Sequence, residues 1–142
     1  MNVVTFLLCE DIRQEVGNKL SLMGVYRDHV TLQNARWPVA IRLGIFTRIN
    51  LEANEPTPDG FRVTLDLEGE KVAQLAGTFV VKDREKPIEL ALVAGVVRLT
   101  QFGTLSCIIE LLKDDAVSSR ADNFHGSTLG IRPSLDVGLT LP

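Results

Sequence analysis

The chain has 142 residues, of which 15 are basic and 18 acidic, so its formal net charge at pH 7 is -3. This near-neutral balance argues against electrostatic binding to nucleic acid. No apolar run approaches the roughly 18 residues that a membrane-spanning helix needs. The length fits one domain over residues 1–142, with a core large enough that neither a metal nor a disulfide is required for stability.

The first predicted element is a β-hairpin that turns at Gly17 and Asn18. Residues 3–9 are almost entirely apolar, and the two turn formers separate residues 12–16 from residues 19–26. Glycine readily adopts the positive φ that a tight hairpin turn requires. The opening of the chain is therefore expected to form two antiparallel strands.

Charged residues cluster just before this turn. Glu10 and Asp11 are consecutive, so on a strand their carboxylates point to opposite faces and do not converge on a cation. We therefore expect a structural role for the segment. In this hypothesis Asp11 accepts hydrogen bonds from the neighbouring connection, while Arg13 pairs across the hairpin and fixes its register.

Alternation of apolar and polar residues predicts the next strands. Residues 39–51 come first, followed by residues 61–68, in which every odd position is apolar. Such alternation is typical of a half-buried strand. The pair Gly69-Glu70 is expected to form the turn into a return strand over residues 71–81, with a bulge or bend at Gly77.

Three more strands are expected in the second half of the chain. They cover residues 88–100, 105–112 and 135–141, and no segment shows sustained helical periodicity. About eight or nine short strands with little or no helix predict an all-β fold, an antiparallel β-sandwich.

Residues 88–99 differ from the other strands because neither face of the segment is polar. Two interpretations are open: a central strand buried on both sides, or a strand with one side in a subunit interface. Ile108 and Leu112 lie on the nominally outer face of the next strand, and they favour the interface. Both are therefore candidate contacts with a partner.

Three further residues are candidate contacts with a partner or ligand. Trp37 precedes a proline and either closes one end of the core or is exposed as an anchor. Phe124 and His125 lie within residues 114–127, which are expected to form a long loop. A small molecule or carbohydrate bound near Trp37 and this loop is the alternative function.

No segment carries the residue pattern of a catalytic, cofactor-binding or metal-binding site. A Gly-x-Ser-x-Gly nucleophile motif is absent, and Ser119, His125 and Asp122 could be drawn as a triad only within one loop. Glycine motifs for phosphates and dinucleotides are also absent, and neither histidine has a ligand partner at metal-binding spacing. We predict no such residues and no cofactor, and an enzyme is the third hypothesis.

Cys9 and Cys107 both lie in apolar segments and are expected to be buried free thiols. The opening lacks the basic residues and the cleavage site of a signal peptide. A cytoplasmic protein is therefore expected, with neither a membrane nor a nucleic acid among its partners.

Two segments at the start of the chain carry a family resemblance: Cys9-Glu10-Asp11-Ile12-Arg13-Gln14-Glu15 and, after the Gly17-Asn18 turn, Lys19-Leu20-Ser21-Leu22-Met23-Gly24-Val25-Tyr26. They resemble a family of small bacterial and prophage-associated proteins, known as a domain of unknown function. Trp37-Pro38 and Phe102-Gly103-Thr104-Leu105 are similar to the same layout, although Leu105 stands where that family commonly has tyrosine. The resemblance implies a compact β-sandwich and no established activity.

These observations predict a non-enzymatic interaction or structural module. It would associate with itself as a homodimer or larger homo-oligomer, or dock to another protein.

Overall fold

The computed structural model describes residues 1–134, with side chains for all of these except residue 94, and contains ten β-strands and no helix in this range. The strands are β1 (Asn2–Glu15), β2 (Lys19–Val25), β3 (His29–Leu32), β4 (Val39–Asn50), β5 (Gly60–Leu67), β6 (Glu70–Thr78), β7 (Ile88–Leu99), β8 (Gly103–Lys113), β9 (Ala116–Ala121) and β10 (Thr128–Pro133).

Two sheets pack on each other in a sandwich-like arrangement, which confirms the predicted fold class. One sheet has the strand order β2-β1-β4-β7, and the other has the order β3-β10-β8-β5-β6 with β9 added on β8. All pairs are antiparallel except β3 with β10, which run parallel. The strand predicted over residues 135–141 lies outside the described residues.

The core lies between the sheets because one side of each strand is apolar. In β5 and β8 the inward residues Val63, Leu65, Ile109 and Leu111 are fully buried, and they meet Ile45 and Ile49 from β4 in one cluster. Full burial of such a side chain contributes roughly 1.5–3 kcal/mol relative to exposure. Period-two alternation thus identifies the core face correctly.

The β5–β6 turn lies one residue earlier than the sequence predicts. Glu68 and Gly69 form it, with φ of 49° and 86°. The register shift in this hairpin lies between Leu65 and Asp66 of β5, not at Gly77. Gly77 pairs regularly and leaves room for the Phe61 ring, because a Cβ there would lie 2.9 Å from Phe61 Cε1.

Residues 114–127 are not one long loop, and that prediction is wrong. Asp114 and Asp115 both have positive φ and form a tight turn, after which β9 pairs with β8. Within β9, Ser118 Oγ donates a hydrogen bond to the carbonyl of Leu111 at 3.2 Å. The remaining connection, residues 122–127, is short.

β7 lies at the edge of its sheet, so the interpretation as a central strand is wrong. It pairs with β4, and no other strand in residues 1–134 pairs with its second edge. Val93 and Val96 point outward and are exposed, whereas Leu90 and Val97 point into the core. The apolar side chains Val93 and Val96 are therefore exposed between Glu89 and Arg98, and the subunit interface stays a prediction.

The long strands of both sheets run between two ends of the sandwich. Residues 33–38 and 100–102 connect strands at the end where β4 begins, at Val39. Residues 51–59, 79–87 and 114–115 connect strands at the opposite end, where β4 finishes at Asn50.

Candidate functional site

The β1–β2 hairpin folds over the outer face of the four-stranded sheet. A Cβ on Gly44 would lie 3.2 Å from Ile12 Cγ1 and 3.3 Å from Cys9 Sγ, so Ile12 packs on the strand exactly where a side chain is missing. Cys9 is fully buried, yet it lies outside the central core. We call Cys9, Ile12 and Gly44 the outer cluster.

The hairpin contains a tight turn and, before it, an ion pair between two residues of the same strand. Gly17 and Asn18 have φ of 91° and 55° and form the predicted turn. Asp11 Oδ1 accepts a hydrogen bond from the backbone N–H of Ile12 at 2.9 Å, and Arg13 Nε donates to Asp11 Oδ2 at 3.3 Å. Arg13 therefore pairs along its own strand, and the predicted pairing across the hairpin is wrong.

A groove of about 620 Å³ separates the hairpin from the sheet beneath it. Leu20 and Leu22 line its hairpin side, and Phe46 and Ala91 line the sheet side. An ion pair also lines the groove, in which Arg48 Nε donates to a Glu89 carboxylate oxygen at 3.1 Å. Because these residues come from three strands, sequence spacing gives no signal for the groove.

An exposed aromatic pair stands at the end of the sandwich where β4 begins. The rings of Trp37 and Phe102 meet edge to face with centroids 4.8 Å apart, and each side chain is 37% exposed. Trp37 lies just before β4 and Phe102 just after β7, and the pairing of Val39 with Leu99 brings them together. The sequence singled out Trp37 but not its partner.

Arginines and an exposed valine continue from this aromatic pair along the outer face. Arg42 is opposite Val96 and Arg98 is opposite Ala40 in the β4–β7 register, and Val96 is 61% exposed. Within residues 1–134, neither these two arginines nor Arg36 forms a salt bridge. We define the aromatic end by six residues: Arg36, Trp37, Arg42, Val96, Arg98 and Phe102.

Phe124 and His125 lie away from the aromatic end. The Phe124 ring packs edge-on against Phe6 with centroids 4.9 Å apart, and His125 is exposed. Phe6 pairs with Thr47, which is eight residue positions along β4 from Val39, or roughly 26 Å. The structure therefore does not bring Trp37 and residues 122–127 into one site.

Ile108 and Leu112 are half-buried on the outer face of the six-stranded sheet. Glu110 lies between them, and its carboxylate accepts a hydrogen bond from Arg62 Nε at 2.8 Å. This bond raises the pKa of the Arg62 guanidinium. The two apolar side chains thus flank a cross-strand ion pair and do not form a continuous apolar patch.

The two thiols are free and buried, but in different places. Cys107 lies in the central core, where burial raises the pKa of its thiol to about 12. Burial also raises the pKa of Cys9, and the nearby Asp11 carboxylate adds to this effect. Both thiols are therefore poor nucleophiles in the folded protein.

The described residues contain neither a cluster of metal ligands nor a membrane-spanning helix. In residues 1–134, no three His, Cys, Asp or Glu side chains are grouped so that they could hold a metal ion. The same part of the chain has no helix long and apolar enough to cross a membrane. Comparison of the chain with family models, curated proteins and solved structures found no match.

Proposed function

We propose that the protein is a non-enzymatic interaction module that associates with itself through its aromatic end. The observation that carries this proposal is the exposed Trp37–Phe102 pair beside Val96 and three arginines that form no salt bridge within residues 1–134. Tryptophan and arginine are the residues most often found at the energetic centre of protein interfaces. Burial of the two rings on a partner would remove apolar surface from water without reorganising the fold.

Side-chain docking fits this surface better than the addition of a strand to β7. The β4–β7 ladder shifts register between Leu43 and Gly44, which places an irregularity in the middle of the edge strand. A bulge of this kind twists an edge and hinders pairing with another strand. The outward side chains therefore offer the better contact.

A cytoplasmic location belongs to the same proposal. The two buried cysteines are free thiols, as in proteins of reducing compartments. Kinship with the prophage-associated family stays a prediction, and its specific part is the resemblance of the first 26 residues.

Substitution of the aromatic residues tests the proposal. We expect the wild-type chain to form dimers or larger oligomers at micromolar concentration, and Trp37→Ala or Phe102→Ala to raise the dissociation constant about 30-fold, the effect of losing about 2 kcal/mol at a hot spot. Size-exclusion chromatography with light scattering measures the mass, and circular dichroism checks that each variant folds.

Two exposed valines provide a matched control for this experiment. Val96→Lys should abolish association, whereas Val16→Lys, in the hairpin turn and 94% exposed, should leave it unchanged. A wild-type chain that stays monomeric, or association that survives loss of both rings, contradicts the proposal.

The groove under the hairpin supports a second candidate function, the binding of a small polar molecule or carbohydrate. Its volume of about 620 Å³ falls in the range of ligand pockets, and its lining combines four apolar side chains with the Arg48–Glu89 ion pair and with polar hairpin residues such as Gln14 and Lys19. A panel of sugars and metabolites should contain one that raises the melting temperature. Ala91→Trp, which fills the groove, should abolish that shift. A panel without effect, or a shift that survives Ala91→Trp, contradicts this function.

A further inference from the structure

We propose that the aromatic end of one copy binds the opposite end of a second copy, so that the chains associate head to tail. This inference rests on the proposed self-association and names the surface that the aromatic end meets. The opposite end consists of residues 51–59, 79–87 and 114–115, and we call it the acidic end.

The acidic end carries an excess of negative charge. Its three connections contain seven acidic and three basic residues, and among the acidic ones Glu52, Asp83, Glu85, Asp114 and Asp115 are exposed. Part of the charge is used internally, since Glu55 and Glu52 pair with the α-amino group of Met1 and Asp59 lies 4.0 Å from Lys113. The arginines of the aromatic end form no salt bridge within residues 1–134. The exposed carboxylates of the turn at 114–115 have the opposite charge and can pair with them.

Internal hydrogen bonds hold the acidic end in place. Arg84 donates to Thr57 Oγ1 at 2.6 Å and to the carbonyl oxygens of Glu55 and Glu52 at 2.8 and 3.1 Å. The guanidinium thereby ties residues 79–87 to residues 51–59. A surface ordered before binding loses less conformational entropy when a partner docks.

An apolar groove at the acidic end can receive the aromatic pair. It has a volume of about 400 Å³ and is lined by apolar residues of 79–90, among them Phe79, Val81 and Ile88. Val80, at the same groove, is 83% exposed. Lys82 and Lys86 also line this groove together with Asp83 and Glu89, and Glu89 already pairs with Arg48.

The groove lies beside the turn that carries the exposed carboxylates of Asp114 and Asp115. The backbone N–H of Phe79 donates to the Asp59 carbonyl at 3.0 Å, and the N–H of Asp114 donates to Asp59 Oδ2 at 3.3 Å. One end thus presents two rings flanked by arginines, and the other presents an apolar groove next to aspartates. A hot-spot aromatic in a groove with complementary charges around it is the usual construction of a specific interface.

The contact joins two different surfaces. A row of copies therefore always has one aromatic end and one acidic end that are still unoccupied. Such a heterologous contact closes into a ring or continues as a filament. A contact between two aromatic ends would instead stop at a dimer.

Reversal of the charges at one end at a time tests the inference. Arg42→Glu/Arg98→Glu and Asp114→Lys/Asp115→Lys should each raise the dissociation constant at least tenfold, because like charges then face each other. An equimolar mixture of the two variants should regain assembly, since each altered end now complements an altered end of the other variant. Light scattering on each variant and on the mixture provides the measurement.

The outcomes separate this inference from the proposed function. If wild type assembles and Trp37→Ala prevents it, while both charge variants assemble normally or their mixture stays monomeric, the head-to-tail contact is wrong and self-association stands. A monomeric wild type overturns both. As a second measurement, a photo-crosslinker at position 102 should label residues 79–90 of another copy; labelling of its Trp37 would overturn the inference.

Discussion

Replacement of Gly126 by alanine is expected to lower the free energy of unfolding by about 3 kcal/mol. Gly126 has a φ of 85°, and a Cβ there would lie 2.8 Å from the carbonyl oxygen of Phe6. The methyl group therefore meets backbone, which cannot turn aside as a side chain can. Residues 122–127 would have to move, and the packing of Phe124 on Phe6 would be lost with them.

Gly17→Ala is the matched control. Gly17 has a similar φ of 91°, but nothing lies within 4 Å of the position of its missing Cβ. Gly17→Ala should therefore lower the free energy of unfolding by only about 1 kcal/mol, the cost of an alanine with left-handed backbone angles. Urea denaturation of the two variants measures the difference, and equal losses would show that the contact with Phe6 does not constrain this connection.

Leu65→Ala is expected to cost about 3 kcal/mol and to raise the labelling rate of Cys107 about 150-fold without changing that of Cys9. Leu65 is fully buried and pairs with Cys107 in the central core, so Cys107 reacts only through global unfolding. Cys9 lies at the base of the hairpin, where β1 pairs with β2 and β4 outside the central core, and a local opening that leaves the core intact exposes it. The loss of core packing destabilises the closed protein and the locally open protein equally. The free energy of local opening, and with it the labelling rate of Cys9, is therefore unchanged.

Ile12→Ala is the complementary variant. Loss of the Ile12 side chain, which packs on Gly44 beside Cys9, should raise the labelling rate of Cys9 about tenfold, equivalent to about 1.4 kcal/mol of opening free energy. Labelling with iodoacetamide at pH 8, followed by peptide mass spectrometry, reports each thiol separately. If Leu65→Ala accelerates both thiols equally, the hairpin does not open independently of the core.

The core could be predicted from the sequence because each strand carries its own pattern. Val63 and Leu65 in β5, and Ile109 and Leu111 in β8, alternate with polar residues and point inward in the structure. The β1–β2 hairpin was likewise predicted from its turn. These features depend on residues that are close in sequence.

Features that depend on contacts between distant residues could not be predicted. Trp37 and Phe102 meet only because β4 pairs with β7, and Ile12 and Cys9 pack against position 44 only because it has no side chain. The turn at Asp114 and Asp115 was missed for a local reason, since neither residue is the glycine that usually marks positive φ. The Trp37–Phe102 pair, which is the candidate site, therefore could not be predicted because it depends on contacts between distant residues.

Sedimentation velocity of the wild-type chain between about 1 and 100 μM, with Trp37→Ala alongside, tests the central claim of self-association through the aromatic end most directly. We expect a sedimentation coefficient that rises with concentration for wild type, and for the variant a rise that occurs only at about 30-fold higher concentration. A wild-type chain that sediments as a monomer throughout, or a variant that associates as strongly as wild type, would contradict it.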